Sequence, residues 1–174
     1  MPIPGNLKQG DIMNKLKLFV VLIVFFVAMG LCFADDDSKL VGLWKLVSFD
    51  VEFQSTGKTQ PAMGKNISGF LLFTAEGRAF FILTGEGRKP AKTEKEKAAL
   101  LDSLVAYTGK HRVEGDKWIT KVDVAWNPEW IGTEQVRTFK MEGDRLIVMT
   151  PWNVHPNWPE RGMTRRTIVF QRDK

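Results

Sequence analysis

Apolar and polar positions alternate with a period of two along most of the chain beyond Lys39, in short runs rich in β-branched and aromatic residues. Runs of this kind between glycine-bearing turns read as β-strands with one buried face. The cleanest is Trp118–Trp126. Trp118, Thr120, Val122, Val124 and Trp126 share one face, and Ile119, Lys121, Asp123 and Ala125 the other. Leu40–Phe53 starts out of step, because Trp44 and Leu46 lie off the phase of Val47, Phe49, Val51 and Phe53. That predicts a bend or bulge near Lys45. Gly69–Thr74, Arg78–Leu83, Lys110–Val113, Glu134–Met141, Arg145–Thr150 and Arg165–Arg172 bring the set to about eight strands.

Three connections share one design, Glu76-Gly77-Arg78, Glu114-Gly115-Asp116 and Glu142-Gly143-Asp144. Glycine accepts the positive φ of a tight hairpin and the flanking charges hold the turn in water, so consecutive strands pair antiparallel. One segment breaks the meander. Thr93 with Glu96 three residues on is a capping-box pattern. Leu100, Leu101, Leu104 and Val105 follow at helical spacing, with Gly109 where a C-terminal cap would fall. This predicts a helix whose leucine stripe docks on the sheet, preceded by a basic mobile loop at Arg88, Lys89 and Lys92. The expected fold is all-β: an eight-stranded antiparallel up-and-down barrel with one helix inserted between strands three and four. A two-sheet sandwich is the competing arrangement.

The N-terminus has a different pattern. Lys15 and Lys17 precede the apolar run LKLFVVLIVFFVAMGLCFA, which ends on Ala34 before Asp35-Asp36-Asp37. A basic start, an apolar stretch and a small residue describe a secretory signal peptide. Residues 1–34 are therefore expected to be removed, with Met13 as the true start, leaving 35–174 as the barrel domain and an exported, periplasmic or secreted protein. The run is at the lower edge of the ~17–25 residues of a spanning helix, so a retained N-terminal anchor is the alternative. Cys32 follows Leu31 rather than a small residue, a poor match to a lipoprotein site.

Composition narrows the chemistry. A chain of 174 residues, 44% hydrophobic and 26% charged, is an ordinary globular protein. One cysteine excludes a disulfide framework and a cysteine zinc site, and two histidines leave little for a metal centre. Neither a metal nor a cofactor is expected. The net charge of +5 is mild and interleaved, without the basic stripe that nucleic acid requires. No P-loop, Gly-x-Ser-x-Gly or His-Glu-x-x-His motif is present.

Gly42-Leu43-Trp44 matches the Gly-x-Trp signature of lipocalins, and Leu40–Phe53, Gly69–Thr74, Tyr107–Val113 and the run Asn127-Pro128-Glu129-Trp130-Ile131-Gly132-Thr133-Glu134-Gln135-Val136-Arg137 resemble the bacterial lipocalin-like domain family. The resemblance spans roughly residues 39–171. It implies a lipocalin-like barrel in which Trp44 closes the floor and a basic residue of the last strand, Arg172 in preference to Arg166, packs across it. It carries no single activity and no catalytic set. The inserted helix and the lack of disulfides depart from familiar lipocalins.

Function has to come from the site. Trp118 and Trp126 on one strand face, with Trp130 and Phe80, are candidate pocket walls, although side chains often simply fill a small barrel. Gln135 and Arg137 precede Phe139 and Met141 on one face, a polar pair followed by an apolar pair. An arginine there would meet the carboxylate or phosphate head of an amphiphile. The plainer account pairs Arg137 with Asp50 or Glu134, or leaves it in solvent. Tyr107 and His111 are neighbours able to form an acid–base pair. The leading expectation is an exported barrel binding a small hydrophobic or amphipathic molecule through Phe80, Trp118, Trp126, Trp130, Gln135 and Arg137, with Gly42, Trp44 and Arg172 as structural motif. A cofactor-free isomerase or cyclase in the same cavity, and a packed envelope or interaction domain without ligand, are the alternatives.

Overall fold

The computed structural model describes residues 38–155 and 159–173. The expected signal segment with Met13 and Cys32, the Asp35–Asp37 tract and Trp158 lie outside the described residues. The strands are β1 (Gly42–Phe53), β2 (Thr59–Pro61), β3 (Ser68–Phe73), β4 (Arg78–Thr84), β5 (Leu104–Glu114), β6 (Lys117–Ala125), β7 (Glu134–Glu142), β8 (Arg145–Met149), β9 (Asn153–Val154) and β10 (Met163–Arg172). They form one sheet in the order β2-β1-β3-β4-β5-β6-β7-β8-β10-β9. Pairing of β1 with β10 closes eight of them into a barrel, with Trp44 opposite Arg172 and Phe53 opposite Thr164. The short β2 and β9 extend from β1 and β10. Closure removes the free edges that an open sheet would expose.

Period two decides what is inside. Leu71 and Phe73 of β3, Ala79, Phe81 and Leu83 of β4, Leu146 and Val148 of β8, and Ile168 and Phe170 of β10 are all buried in one core. Two bulges reset the phase. In β1 the extra residue is Val47, two positions beyond the expected bend, so Trp44 and Leu46 on one side and Phe49 and Val51 on the other all point inward. In β6 the extra residue is Asp123, where the register to β5 slips between Thr108 and Gly109. Trp118, Thr120 and Val122 are therefore buried while Val124 is 60% exposed. The single face expected for Trp118 through Trp126 is broken there.

Gly109 lies inside β5, not at a helix cap, and faces this bulge. A Cβ at that position would stand 1.9 Å from the Lys121 carbonyl oxygen, a backbone atom that cannot step aside. Gly109→Ala is expected to destabilise the barrel by about 2 kcal/mol, the middle of the range for overpacking. A urea melt within about 0.5 kcal/mol of the parent would show that the bulge yields.

The helix α1 (Glu94–Asp102) starts on the expected capping box. Thr93 Oγ1 accepts from Glu96 N at 3.3 Å and Glu96 Oε2 accepts from Thr93 N at 2.9 Å. It follows the fourth strand, not the third, because the three-residue β2 carries too little alternation to be seen in the sequence. It also stops earlier than expected. Leu104 and Val105 belong to β5, and α1 buries no residue, so its leucines do not dock as a stripe. Instead Arg88 ties down the C-terminal end, donating from Nη1 to the Leu100 and Ser103 carbonyls at 2.7 and 2.9 Å. A cation there complements the carbonyl end of the helix dipole. The stretch read as a mobile loop thus tethers the end of the helix, whose C-cap is Ser103. Among the described residues no helix is long and apolar enough to cross a membrane.

Candidate functional site

The floor is set by the first turn of β1. Trp44 is fully buried and its Nε1 donates to the Leu40 carbonyl at 2.7 Å. The Arg172 guanidinium lies 4.1 Å from the indole centroid, and its Nη1 donates to the Val41 carbonyl at 2.9 Å. Gly42 has φ 128°, and a Cβ on it would come within 2.8 Å of Arg172 Nη1. Glycine two residues before the tryptophan thus follows from the room the arginine needs. Above the floor Trp118 stands edge-on to Phe73 at 4.8 Å and donates from Nε1 to Thr120 Oγ1 at 2.6 Å. Trp118 is core, not the wall of an open pocket.

Arg166 lies six residues from Arg172 along β10, roughly 20 Å at strand rise. There the interior turns polar. A void of about 20 Å³ is lined by Gln135, Arg137, Thr150, Asn153, His155 and Arg166 above Phe49, Phe81, Val105, Trp130 and Ile168. It holds about one water molecule. The Asn127–Arg137 run builds one side. Asn127 Oδ1 caps Glu129 N at 3.0 Å, and Pro128–Trp130 forms a single 3-10 turn that buries Trp130. The Thr133 hydroxyl closes back on the Trp130 carbonyl at 2.7 Å. Strand β7 then sends Gln135 and Arg137 inward.

Arg137 and Arg166 are 6% and 5% exposed. Arg137 donates from Nη1 to the Val136 carbonyl at 2.8 Å and from Nη2 to Gln135 Oε1 at 3.2 Å, with its guanidinium 6.0 Å from the Trp130 ring. Arg166 donates from Nη1 to Asn153 Oδ1 at 2.5 Å and from Nη2 to Thr164 Oγ1 at 2.9 Å. The Nε of each has no hydrogen-bond partner, and neither has an ion pair among the described residues. Glu134, one of the two acids considered for Arg137, is held by Arg112 at 2.8 Å. Burial and the neighbouring positive charges of Arg137 and Arg161 bring the Arg166 guanidinium down to about 10. His155 is driven down to about 3 by burial first, then by Arg166, Arg137 and Arg161. It is neutral at pH 7.

Trp126 and Tyr107 stand at the edge of this void. Trp126 meets Trp130 edge-on at 4.6 Å and His155 at 6.2 Å. The Tyr107 ring stacks on Phe81 at 5.0 Å, and burial raises the pKa of its hydroxyl against the opposing charge and hydrogen-bonding pull of Arg137. His111 instead stands edge-on to Phe73 at 4.9 Å, so it and Tyr107 do not converge as an acid–base pair. Beyond Trp126 an open apolar groove of about 450 Å³ is lined by Phe80, Phe81, Ile82, Ala106, Tyr107, Thr108, Val124, Ala125 and Trp126. Phe80 is 42% exposed on the outer face of β4, because β3–β4 pairing turns Phe81 inward. It lines this groove and not the interior, a correction to its expected place.

Structure therefore brings Trp126, Trp130, Gln135 and Arg137 together, leaves Trp118 in the core and puts Phe80 outside. It adds His155 and Arg166, the latter of which the sequence offered only as a spare partner for Trp44. One signal for Arg166 was available: Thr164, Arg166, Ile168 and Phe170 alternate in phase, so a core face had to contain an arginine. Among the described residues no three His, Cys, Asp or Glu side chains gather to hold a metal ion. A family model described as a lipocalin-like domain matches residues 41–173. No curated protein matches the chain.

Proposed function

Because the chain belongs to the lipocalin-like domain family, we propose that it is a binding protein for a small amphipathic molecule whose polar head enters the void between Arg137 and Arg166. The carrying observation is the pair of buried guanidiniums that have no carboxylate partner among the described residues. Burying charge without a counter-ion costs several kcal/mol, and an arrangement so unfavourable alone is natural for a site completed by its ligand. The void between the two arginines has room for about one water, so it takes no more than a small part of a cargo. Its apolar part would run over Trp126 into the groove, whose volume of about 450 Å³ is in the range of small-molecule sites. Phe81 lines both the void and the groove.

The basic and apolar start of the chain supports export, with loss of residues 1–34. Native mass spectrometry of protein taken from the exported fraction tests both points. The expected result is a chain beginning after Ala34 that carries a reproducible small molecule. An empty chain whose tryptophan fluorescence also ignores a panel of fatty acids and hydrophobic dyes would overturn the binding reading. The result would then favour a packed interaction domain, for which the filled core and the exposed Phe70, Phe80, Ile82 and Val124 speak.

A further inference from the structure

We infer that the outer wall of the barrel over β3, β4, β5 and β6 is a membrane-docking face whose partner is an anionic lipid surface. The inference is separate from the cargo reading above, since it rests on the outside of the wall alone. Strand register assembles the face. Leu43, Leu72, Phe80, Thr108 and Val124 stand opposite one another in turn across five strands, from β1 to β6. Phe70, Ile82 and Ala106 form a second row beside them. None of these side chains belongs to the core, and the polar one, Thr108, spends its hydroxyl on the Ala79 carbonyl at 2.8 Å. Five of the ten exposed large apolar side chains among the described residues fall in these two rows, so they make a patch and not a scatter of single residues. Ala106 and Thr108 floor a trough between Phe80 and Ile82 on one side and Val124 and Trp126 on the other, the open groove described above. Elsewhere the barrel exterior is laced with ion pairs. Arg112 binds Glu134 at 2.8 Å, Lys140 binds Glu142 at 2.5 Å and Arg165 binds Glu52 at 2.6 Å. A sheet face kept in water carries such polar residues, and this wall does not.

Charge around the patch selects the partner. Lys45 stands opposite Phe70 and continues its row. Arg78 and Lys110 are paired across β4 and β5, next after Phe80 and Thr108 on the outward face. Asp123 is bound by Arg78 at 2.8 Å, while Lys45 and Lys110 make no ion pair among the described residues. Lys89 and Lys92 are exposed on the connection at the far end of the same two strands. An apolar centre edged by unpaired cations complements a lipid interface. Its aromatic and aliphatic side chains enter the boundary of the acyl chains, and each ammonium group gains attraction close to anionic headgroups. A second copy of the chain fits worse. Two-fold pairing lays the patch on itself and brings a cationic rim over a cationic rim.

The test is quenching of the intrinsic tryptophan fluorescence of the full chain by vesicles with brominated acyl chains, made of phosphatidylcholine alone or with about one part in three of phosphatidylglycerol. Trp126 lines the trough, and all six tryptophans lie at or beyond residue 44, so an N-terminal apolar run resting in a bilayer quenches nothing by itself. The mixed vesicles are expected to quench, with roughly tenfold more lipid or beyond needed of phosphatidylcholine alone. Trp126→Phe is expected to remove most of the effect. Phe80→Asp should demand roughly tenfold more mixed lipid, and Lys110→Glu about fivefold more. Lys140→Glu, on the outside of β7, should change nothing. If Phe80→Asp does not fold, Val124→Asp makes the same test from the other side of the trough. The inference is overturned by mixed vesicles that do not quench, by phosphatidylcholine alone quenching equally well, or by quenching that the aspartate variants leave intact. A parent that sediments as a dimer which Phe80→Asp splits overturns it too, because the wall would then belong to a second copy.

Discussion

Trp44→Ala is expected to destabilise the barrel by about 3–5 kcal/mol, the range for removing a buried tryptophan from a close-packed core. Three losses fall together. The indole is fully buried beside Leu40, Leu71 and Phe73, so its removal leaves a large cavity at the start of β1. The Leu40 carbonyl loses its donor, and a buried acceptor left unmet costs about 1–3 kcal/mol. Arg172 loses the aromatic face beneath it, a contact of about 0.5–2 kcal/mol. Part of this overlaps, which is why the sum is not the expectation. Trp44→Phe keeps most of the packing and drops the N–H, so it should cost less than half as much. Urea melts of both variants check this. A Trp44→Ala loss below about 1 kcal/mol would mean that the floor is not where the barrel is closed.

The barrel was legible because alternation is a local property. In Arg78–Leu83, Glu134–Met141, Arg145–Thr150 and Arg165–Arg172 the buried face can be read from the residues alone, and the strands lie where the period puts them. Bulges are not local. Whether Asp123 is paired or extra depends on Gly109 in another strand, where missing side-chain volume lets the two backbones approach. Without that pairing Trp118 and Trp126 look equivalent, and one is core while the other is rim. The helix shows the same limit at its end. Leu100, Leu101, Leu104 and Val105 fit helical spacing, but Leu104 and Val105 are taken by pairing with Thr84 and Leu83.

The candidate site was half legible for a related reason. Gln135 and Arg137 could be paired because they share one strand. Arg166 and His155 join them only through closure of β10 on β8 and the connector carrying Asn153, contacts made between distant parts of the chain. Charge made the task harder, since an arginine in a strand is ordinarily read as an outward residue. Arg165 and Arg166 are neighbours, yet Arg165 pairs with Glu52 on the outside and Arg166 is in the core. Phase, and not residue type, tells them apart.

Lowering the pH from 7 to 5 is expected to destabilise the protein by about 2 kcal/mol through His155, and by about 3 kcal/mol by pH 4. The folded imidazole takes a proton only near pH 3, whereas an unfolded one does so near 6.5. Between those values the unfolded chain binds the proton and the folded one does not, so stability falls as pH drops through 6.5 and the loss is complete near 3. Burial is the larger cause, and the positive groups facing His155 are Arg166, Arg137 and Arg161, with Trp126 and Trp130 as neutral neighbours. The carboxylates of Glu76, Glu86, Glu96 and Glu134 are held below their ordinary 4.5 by hydrogen bonds, so they stay ionised down to pH 5 and do not enter that window. His155→Gln, neutral throughout, should flatten the pH 5–7 limb, and the difference between the two melting profiles isolates the histidine. An anion seated between Arg137 and Arg166 would cancel part of the positive field on His155, let it accept its proton at higher pH and flatten the same limb in the parent protein. A parent profile flat from pH 7 to 5 without ligand would show that His155 already titrates freely, and that the cluster is less buried and less positive than its geometry implies.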